Sequence, residues 1–221
     1  MKVRLLKNYI LEKKYTPAEE KWNILTHGIG LAFAIAGVVT LFYKSYQLQS
    51  VKAFVSFLIY GIGLITMFLA STLYHSAKDP GKRSRLNVFD HCAIYLTIAG
   101  SYTPISLLKL PPIWGIPVLI SVWLIAATGI VLKFFFIGSF PKLSTMMYVL
   151  MGWVIVIAIK PLVGHMETAG LLWLLAGGLA YTLGAVLYQV KRLKYNHAIF
   201  HIFVLLGAYC HYIVIYYYCI N

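Results

Sequence analysis

Two histidines, His197 and His201, stand four residues apart at the mouth of a long apolar run. On a helix that spacing puts both imidazoles on one face, where they can reach a single point. Histidine is the usual nitrogen donor for zinc and needs no shift in pKa to serve. Two ligands do not make a site, so a third must come from elsewhere at the same depth. Ser71 and His75 repeat the i, i+4 spacing at the end of another apolar run, and Asp90 followed by His91 opens the next one. Asp90 stands out because the chain has only six acidic residues. Glu20, Asn23 and His27 fall at i, i+3 and i+7, on one face of a helix near the N-terminus. Taken singly, each histidine reads as a buried, hydrogen-bonded imidazole, and Asp90 as a carboxylate favoured by a helix N-terminus.

The elements that must position these residues are membrane helices. The chain of 221 residues is 61% hydrophobic and 11% charged, with a mean hydropathy of +0.79. Its uncharged runs are each long enough to cross a hydrocarbon core of roughly 30 Å as a helix. The expected fold is an all-α seven-transmembrane bundle, with helices at about 17–46, 53–76, 87–108, 112–133, 142–161, 168–190 and 195–219. Residues 1–16 form a tail in which Leu5, Leu6, Ile10 and Leu11 among lysines suit a short amphipathic helix lying on the cytoplasmic membrane surface. Thr16-Pro17-Ala18-Glu19 reads as a capping box with proline at the first helical position. Gly28, Ala32 and Ala36, and Ala180 with Gly184, offer small faces for close helix packing.

Charge sets the expected orientation. Fifteen of the nineteen Lys and Arg residues fall in the N-terminal tail and the second, fourth and sixth loops, against four on the other side. The positive-inside rule then places the N-terminus in the cytoplasm and the C-terminus outside. The net charge of +13 reads as topology and contact with anionic membrane lipids, not as nucleic-acid binding. Three cysteines, all in apolar runs, argue against a disulfide framework. No lysine follows Lys194 in the last run, which excludes a retinal Schiff base there. Oligomeric state is not legible.

Helix parity brings the polar residues together. The end of helix 2 and the starts of helices 1, 3 and 7 share one end of the bundle, so five of seven histidines (His27, His75, His91, His197 and His201) gather there. His211 lies ten residues past His201, about 15 Å further along a helix, and cannot join them. His75, His197 and His201 are the economical zinc ligands. Three imidazoles plus one water are a standard catalytic set, in which zinc lowers the pKa of its water towards about 7. Asp90 is the candidate general base for that water, and Ser71 the candidate donor to a developing oxyanion. Glu20, Asn23, His27 and His91 are the candidate supporting residues.

In this order, Glu20-x-x-Asn23-x-x-x-His27, Ser71-x-x-x-His75, Asp90 and His197-x-x-x-His201 resemble the progestin and adipoQ receptor family. Gly100-Ser101-Tyr102-Thr103-Pro104 and the short loops are similar to its bacterial branch, the hemolysin III-like proteins. The resemblance implies a zinc ion on the three histidines matching His75, His197 and His201, and kinship with membrane ceramidases. Three functions compete: a zinc-dependent hydrolase of lipid amides or esters, a non-enzymatic sensor in which zinc clamps helices 2 and 7, and cytolysis. The topology is testable directly: a reporter fused after Asn221 is expected to be active only outside the cell. Activity in the cytoplasm would overturn either the helix count or the charge argument.

Overall fold

The structure, a computed structural model, describes residues 15–137, 139–190 and 192–220. The expected surface-lying helix of the tail falls on residues 1–14, outside the described residues. Helix α1 (Pro17–Gln47) starts as its sequence demands: Thr16 accepts from the Glu19 amide, and the Glu19 carboxylate accepts from the Thr16 amide. That box and the first-turn Pro17 set where α1 begins, and so where Glu20, Asn23 and His27 sit. Gln49, at φ 47°, turns the chain into α2 (Val51–Ser76), which Ser50 caps.

Helix α3 spans Pro80–Pro104, beginning at Pro80 rather than at Asn87. Asp79 caps it through the Lys82 amide and Pro80 takes the first position. Asp79-Pro80-Gly81 is therefore a helix start as well as a turn, and Asp90 stands inside α3, not at its threshold. After Pro104 the helix widens into a π turn, Ile105–Lys109, closed by the Leu110 amide on the Ile105 carbonyl. Helix α4 (Pro112–Phe136) follows.

The apolar segment Lys142–His165 is broken. Helix α5 (Pro141–Gly152) gives way to a 3₁₀ stretch, Val154–Ala158, and then to the short α6 (Ile159–Val163). Pro161 lacks an amide hydrogen and its ring crowds the carbonyl four residues back. Tyr102 from α3 satisfies the groups that the break releases: its hydroxyl donates to the Gly152 carbonyl at 2.7 Å and accepts from the Ile155 amide at 2.9 Å. Away from water such groups must find protein partners. Helix α7 (Thr168–Gln189) precedes α8 (Asn196–Ile213), which ends in a second π turn, Val214–Tyr218.

The described residues contain helices and no strand. Six segments are long and apolar enough to cross a membrane: α1, α2, α4, Lys142–His165, α7 and Asn196–Tyr218. The exception is α3, whose first half carries Lys82, Arg83, Arg85 and Asp90 and whose second half is rich in small and hydroxylated residues. It packs between α2 and α4, and Thr97, Ala99, Gly100, Ser101, Tyr102 and Thr103 are buried. A helix shielded from lipid needs no apolar surface all round. The ring closes where α8 packs on α1 and α7.

Outside this core the surface is apolar. Leu25, Ile29, Phe33 and Val39 of α1 all project outward. The packed face of α1 runs through Gly30, Ala34, Val38 and Leu41, not through Gly28, Ala32 and Ala36: Ala32 and Ala36 are exposed, and a Cβ on Gly28 would meet nothing within 4 Å. In α7, Gly184 does pack closely, on Phe203 of α8, but its partner along the helix is Gly177 rather than Ala180. The three cysteines are buried and unpaired as disulfides.

The π turn after α3 needs a close neighbour. A Cβ on Gly115 would lie 2.1 Å from the Ser106 carbonyl oxygen, a backbone atom that cannot rotate away. Gly115→Ala is expected to destabilise the protein by about 1–3 kcal/mol, read as a lower thermal midpoint in detergent, while Gly28→Ala, in open space within a helix, does not lower it. Equal midpoints for the two variants would contradict this packing.

Candidate metal centre

Two helices bring three imidazoles together. His75 closes the last turn of α2, while His197 and His201 occupy the first turns of α8. Tyr195, in the left-handed region at φ 57°, turns the chain into α8. The buried Asn196 amide fixes that start by donating to the Tyr188 and Val190 carbonyls at the end of α7. Among the described residues, His75, His197 and His201 form the group whose ligand atoms all lie within 4.8 Å of one another. Nε2 of His75 and Nε2 of His197 face each other at 3.0 Å. Nitrogens around a tetrahedral zinc, at a Zn–N distance of about 2.0–2.1 Å, stand roughly 3.3 Å apart. His75 and His201 are almost fully buried.

The partners of the rings decide their tautomers. Nδ1 of His75 lies 2.7 Å from Oε2 of Glu20. A carboxylate only accepts, so Nδ1 carries the proton and Nε2 presents its lone pair to His197. Nδ1 of His201 lies 3.3 Å from the Asn23 carbonyl oxygen and 3.2 Å from the Thr26 hydroxyl. The carbonyl likewise requires a proton on Nδ1, and Thr26 donates to backbone carbonyls of its own helix. Both rings are thus held with Nε2 open to a cation, the arrangement in which an outer hydrogen bond orients a metal-binding histidine. The donor set fits zinc on this ground alone.

Glu20 does more than hold His75. Its second oxygen, Oε1, accepts from the Arg83 guanidinium at 2.5 Å. Arg83 also reaches the Tyr74 and Ala77 carbonyls and lies over the Tyr74 ring, 4.6 Å from its centroid. Asn23 is fully buried with its amide 3.4 Å from His75 Nδ1. His27 is not a ligand. It stacks flat on His201, centroids 3.5 Å apart at 17°, with its edge region against Phe68, and neither of its nitrogens has a hydrogen-bond partner. His91 stands apart, with Nδ1 on the Asn87 carbonyl of its own helix. The Ser71 hydroxyl faces the Asp90 carboxyl without completing a hydrogen bond. Asp90 does not belong to the group of mutually close donors.

Several residues at the site escaped the sequence reading. Arg83 counted there only as one of the basic residues that set topology. Thr26 adjoins the Glu20, Asn23 and His27 face but broke no pattern. The Tyr15 ring lies 5.0 Å from His197 and 5.6 Å from His75, and the Tyr188 ring lies 5.3 Å from His197. Nothing in their spacing links them to the histidines.

A family model for haemolysin-III-related proteins matches residues 15–212. The chain belongs to the haemolysin-III-related family. It is 41% identical to Hemolysin-3 of Bacillus cereus over 190 residues, covering 86% of this chain and 87% of that protein. It is 39% identical over 207 residues to the Hemolysin-3 homolog of Bacillus subtilis (strain 168), covering 94% and 97%. The human monocyte to macrophage differentiation factor is 31% identical over 222 residues, covering 93% and 87%. No solved structure matches the chain. The likeness to the hemolysin III branch and to progestin and adipoQ receptor-type proteins drawn from the motifs therefore holds. With its apolar helices, it makes this an integral, multi-pass protein of the bacterial plasma membrane.

Glu20 ties α1 to both α2 and α3, and removing it takes a charged acceptor from a part-buried guanidinium and from the Nδ1–H of His75. Glu20→Ala is expected to cost about 1–3 kcal/mol, measured as a drop in thermal midpoint of the purified protein. A midpoint equal to that of wild type would mean that these ties contribute nothing to stability.

Proposed function

We propose that this haemolysin-III-related protein is an intramembrane zinc hydrolase of lipid amides or esters, built on seven spans with the N-terminus in the cytoplasm and the C-terminus outside. The observation that carries the reading is the convergence of His75, His197 and His201, with the first and last held so that Nε2 faces inward. In this reading α3 is the seventh span, crossing inside the bundle rather than against lipid. The histidine end is then the cytoplasmic end, at headgroup depth, where the scissile bond of an amphiphile lies.

His75, His197 and His201 would hold the ion, which when bound acidifies a coordinated water and polarises a carbonyl oxygen. Glu20 keeps His75 in the required tautomer, and the Asn23 carbonyl with Thr26 does the same for His201. Asp90, outside the ligand group, is free to accept the proton of the attacking water and pass it to the leaving amine or alcohol. Ser71, with an unused hydroxyl beside Asp90, can donate to the oxygen on which negative charge develops. His27 and His91 take no chemical part; His27 supports the His201 ring by stacking.

Metal content of purified protein tests the first step. One zinc per chain is expected, lost in His75→Ala, His197→Ala and His201→Ala and retained in His165→Ala and His211→Ala. Glu20→Gln is expected to weaken zinc affinity by about 10–100-fold. Turnover tests the second step. Asp90→Asn keeps shape while removing the base, and is expected to leave zinc bound and abolish hydrolysis across a panel of lipid amides and esters. Loss of zinc in Asp90→Asn would mean direct ligation and favour a structural clamp in a sensor. Fully zinc-loaded wild type that hydrolyses no lipid would end the hydrolase reading. The name of the Bacillus cereus relative favours a second reading, cytolysis, for which the measurement is dye leakage from liposomes.

A further inference from the structure

A cleft of about 490 Å³ opens beside His75, between the first turns of α1 and the turn that joins α2 to α3. Three cations, Lys21, Lys78 and Arg83, line it against a single carboxylate, Glu20. Both oxygens of that carboxylate are engaged, one with His75 and the other with Arg83. Arg83 is in turn fastened to the Tyr74 ring and to the end of α2. Lys21 and Lys78 are different. They are exposed, one on each wall, and neither has a carboxylate partner among the described residues. Among the described residues the cleft therefore keeps an uncompensated positive charge.

Its other lining is apolar. Ile24 and Leu25 lie in the cleft, and Leu25 begins an outward stripe on α1 that continues through Ile29 and Phe33, which are 45%, 45% and 72% exposed. Residues four apart on a helix follow one another along one face, about 6 Å per step. Cationic groups at a helix threshold with an apolar track leading away from them match an amphiphile with a charged head and a single chain.

We propose that the cleft binds an anionic lipid whose carboxylate or phosphate sits between Lys21 and Lys78. Its chain lies along Leu25, Ile29 and Phe33. As a statement about substrate this rests on the hydrolase reading; as a statement about binding it does not. Among the amides and esters of the hydrolase reading, the two lysines favour those that carry a carboxylate or phosphate, such as N-acyl amino acids. A neutral amphiphile leaves both lysines without a partner.

The experiment uses the full-length protein purified in an uncharged detergent and two ligands that differ only in charge, N-oleoylglycine and N-oleoylglycinamide. Affinities are read by calorimetric titration at low salt, with inorganic phosphate as a free-anion competitor. The acid is expected to bind about tenfold more tightly than the amide, a preference that shrinks as salt rises. In the double variant Lys21→Gln/Lys78→Gln the preference is expected to vanish while the amide binds as in wild type, which also reports that the variant is folded. Equal binding of the two ligands to wild type would overturn the proposal, as would a preference that survives in the double variant. Displacement of the acid by phosphate at equal concentration would reduce the site to one for free anions and overturn the lipid assignment. Zinc content and turnover are measured on the same samples. Zinc-loaded protein that prefers the acid but cleaves neither ligand nor any other lipid amide or ester removes the hydrolase reading alone. Turnover that is indifferent to both lysines removes the anionic substrate class alone.

Discussion

A single carboxylate organises the histidine end of the bundle. Glu20, in the first turn of α1, takes the Nδ1–H of His75 from α2 on one oxygen and the Arg83 guanidinium from α3 on the other. Ionisable groups at the edge of an apolar bundle are costly unless they are paired and hydrogen-bonded, and this carboxylate answers both needs at once. The Thr16 capping box fixes its place, because it decides which residue begins α1. A carboxylate is also welcome there, since the helix N-terminus carries partial positive charge. One consequence is positional, in that the ends of three helices are held at the same depth. The other is chemical: with Nδ1 protonated, His75 must present Nε2 to the space it shares with His197 and His201.

The same helix serves the other side of the cluster. The Asn23 carbonyl and the Thr26 hydroxyl orient His201, and His27 lies flat beneath its ring. α1 thus contributes no atom to the group of close donors, yet it controls the direction of two of the three imidazoles. The polar face from Glu20 to His27 is a frame for residues supplied by α2 and α8.

Where the helices are irregular, backbone groups that are released are taken up by a side chain from another helix. Tyr102 satisfies the break between α5 and α6. In regular helix too, Thr97 donates to the Gly63 carbonyl, where the missing Cβ of Gly63 lets α3 and α2 approach closely. Lys44 donates to the Tyr216 carbonyl in the π turn that ends α8. Tyr102 and Thr97 both belong to α3, the most polar long helix, whose polar side chains are used in contacts with its neighbours.

The sequence alone determined that this is a helical membrane protein, that α1 begins at a capping box, and that His75, His197 and His201 share one end. Hydrophobic run length, capping chemistry and helix parity are local or additive properties, legible without knowing which helix neighbours which. They also made the family recognisable, since its motifs are short and ordered along the chain. What only the tertiary structure decided is which groups meet. The tautomers of His75 and His201 depend on partners 55 and 178 residues away. The promotion of Arg83 from a topological charge to the counter-ion of Glu20, 63 residues distant, has the same origin. His27 and His91 carry the same residue type at the same end as the ligand group, yet one became a stacking platform and the other turned to its own helix. The start of α3 at Pro80 shows the limit in another form, because a cap and a first-turn proline can extend a helix well beyond the apolar run that signals it. Helix rotation and the choice of neighbours are settled by packing between distant segments, and no spacing within one segment encodes them.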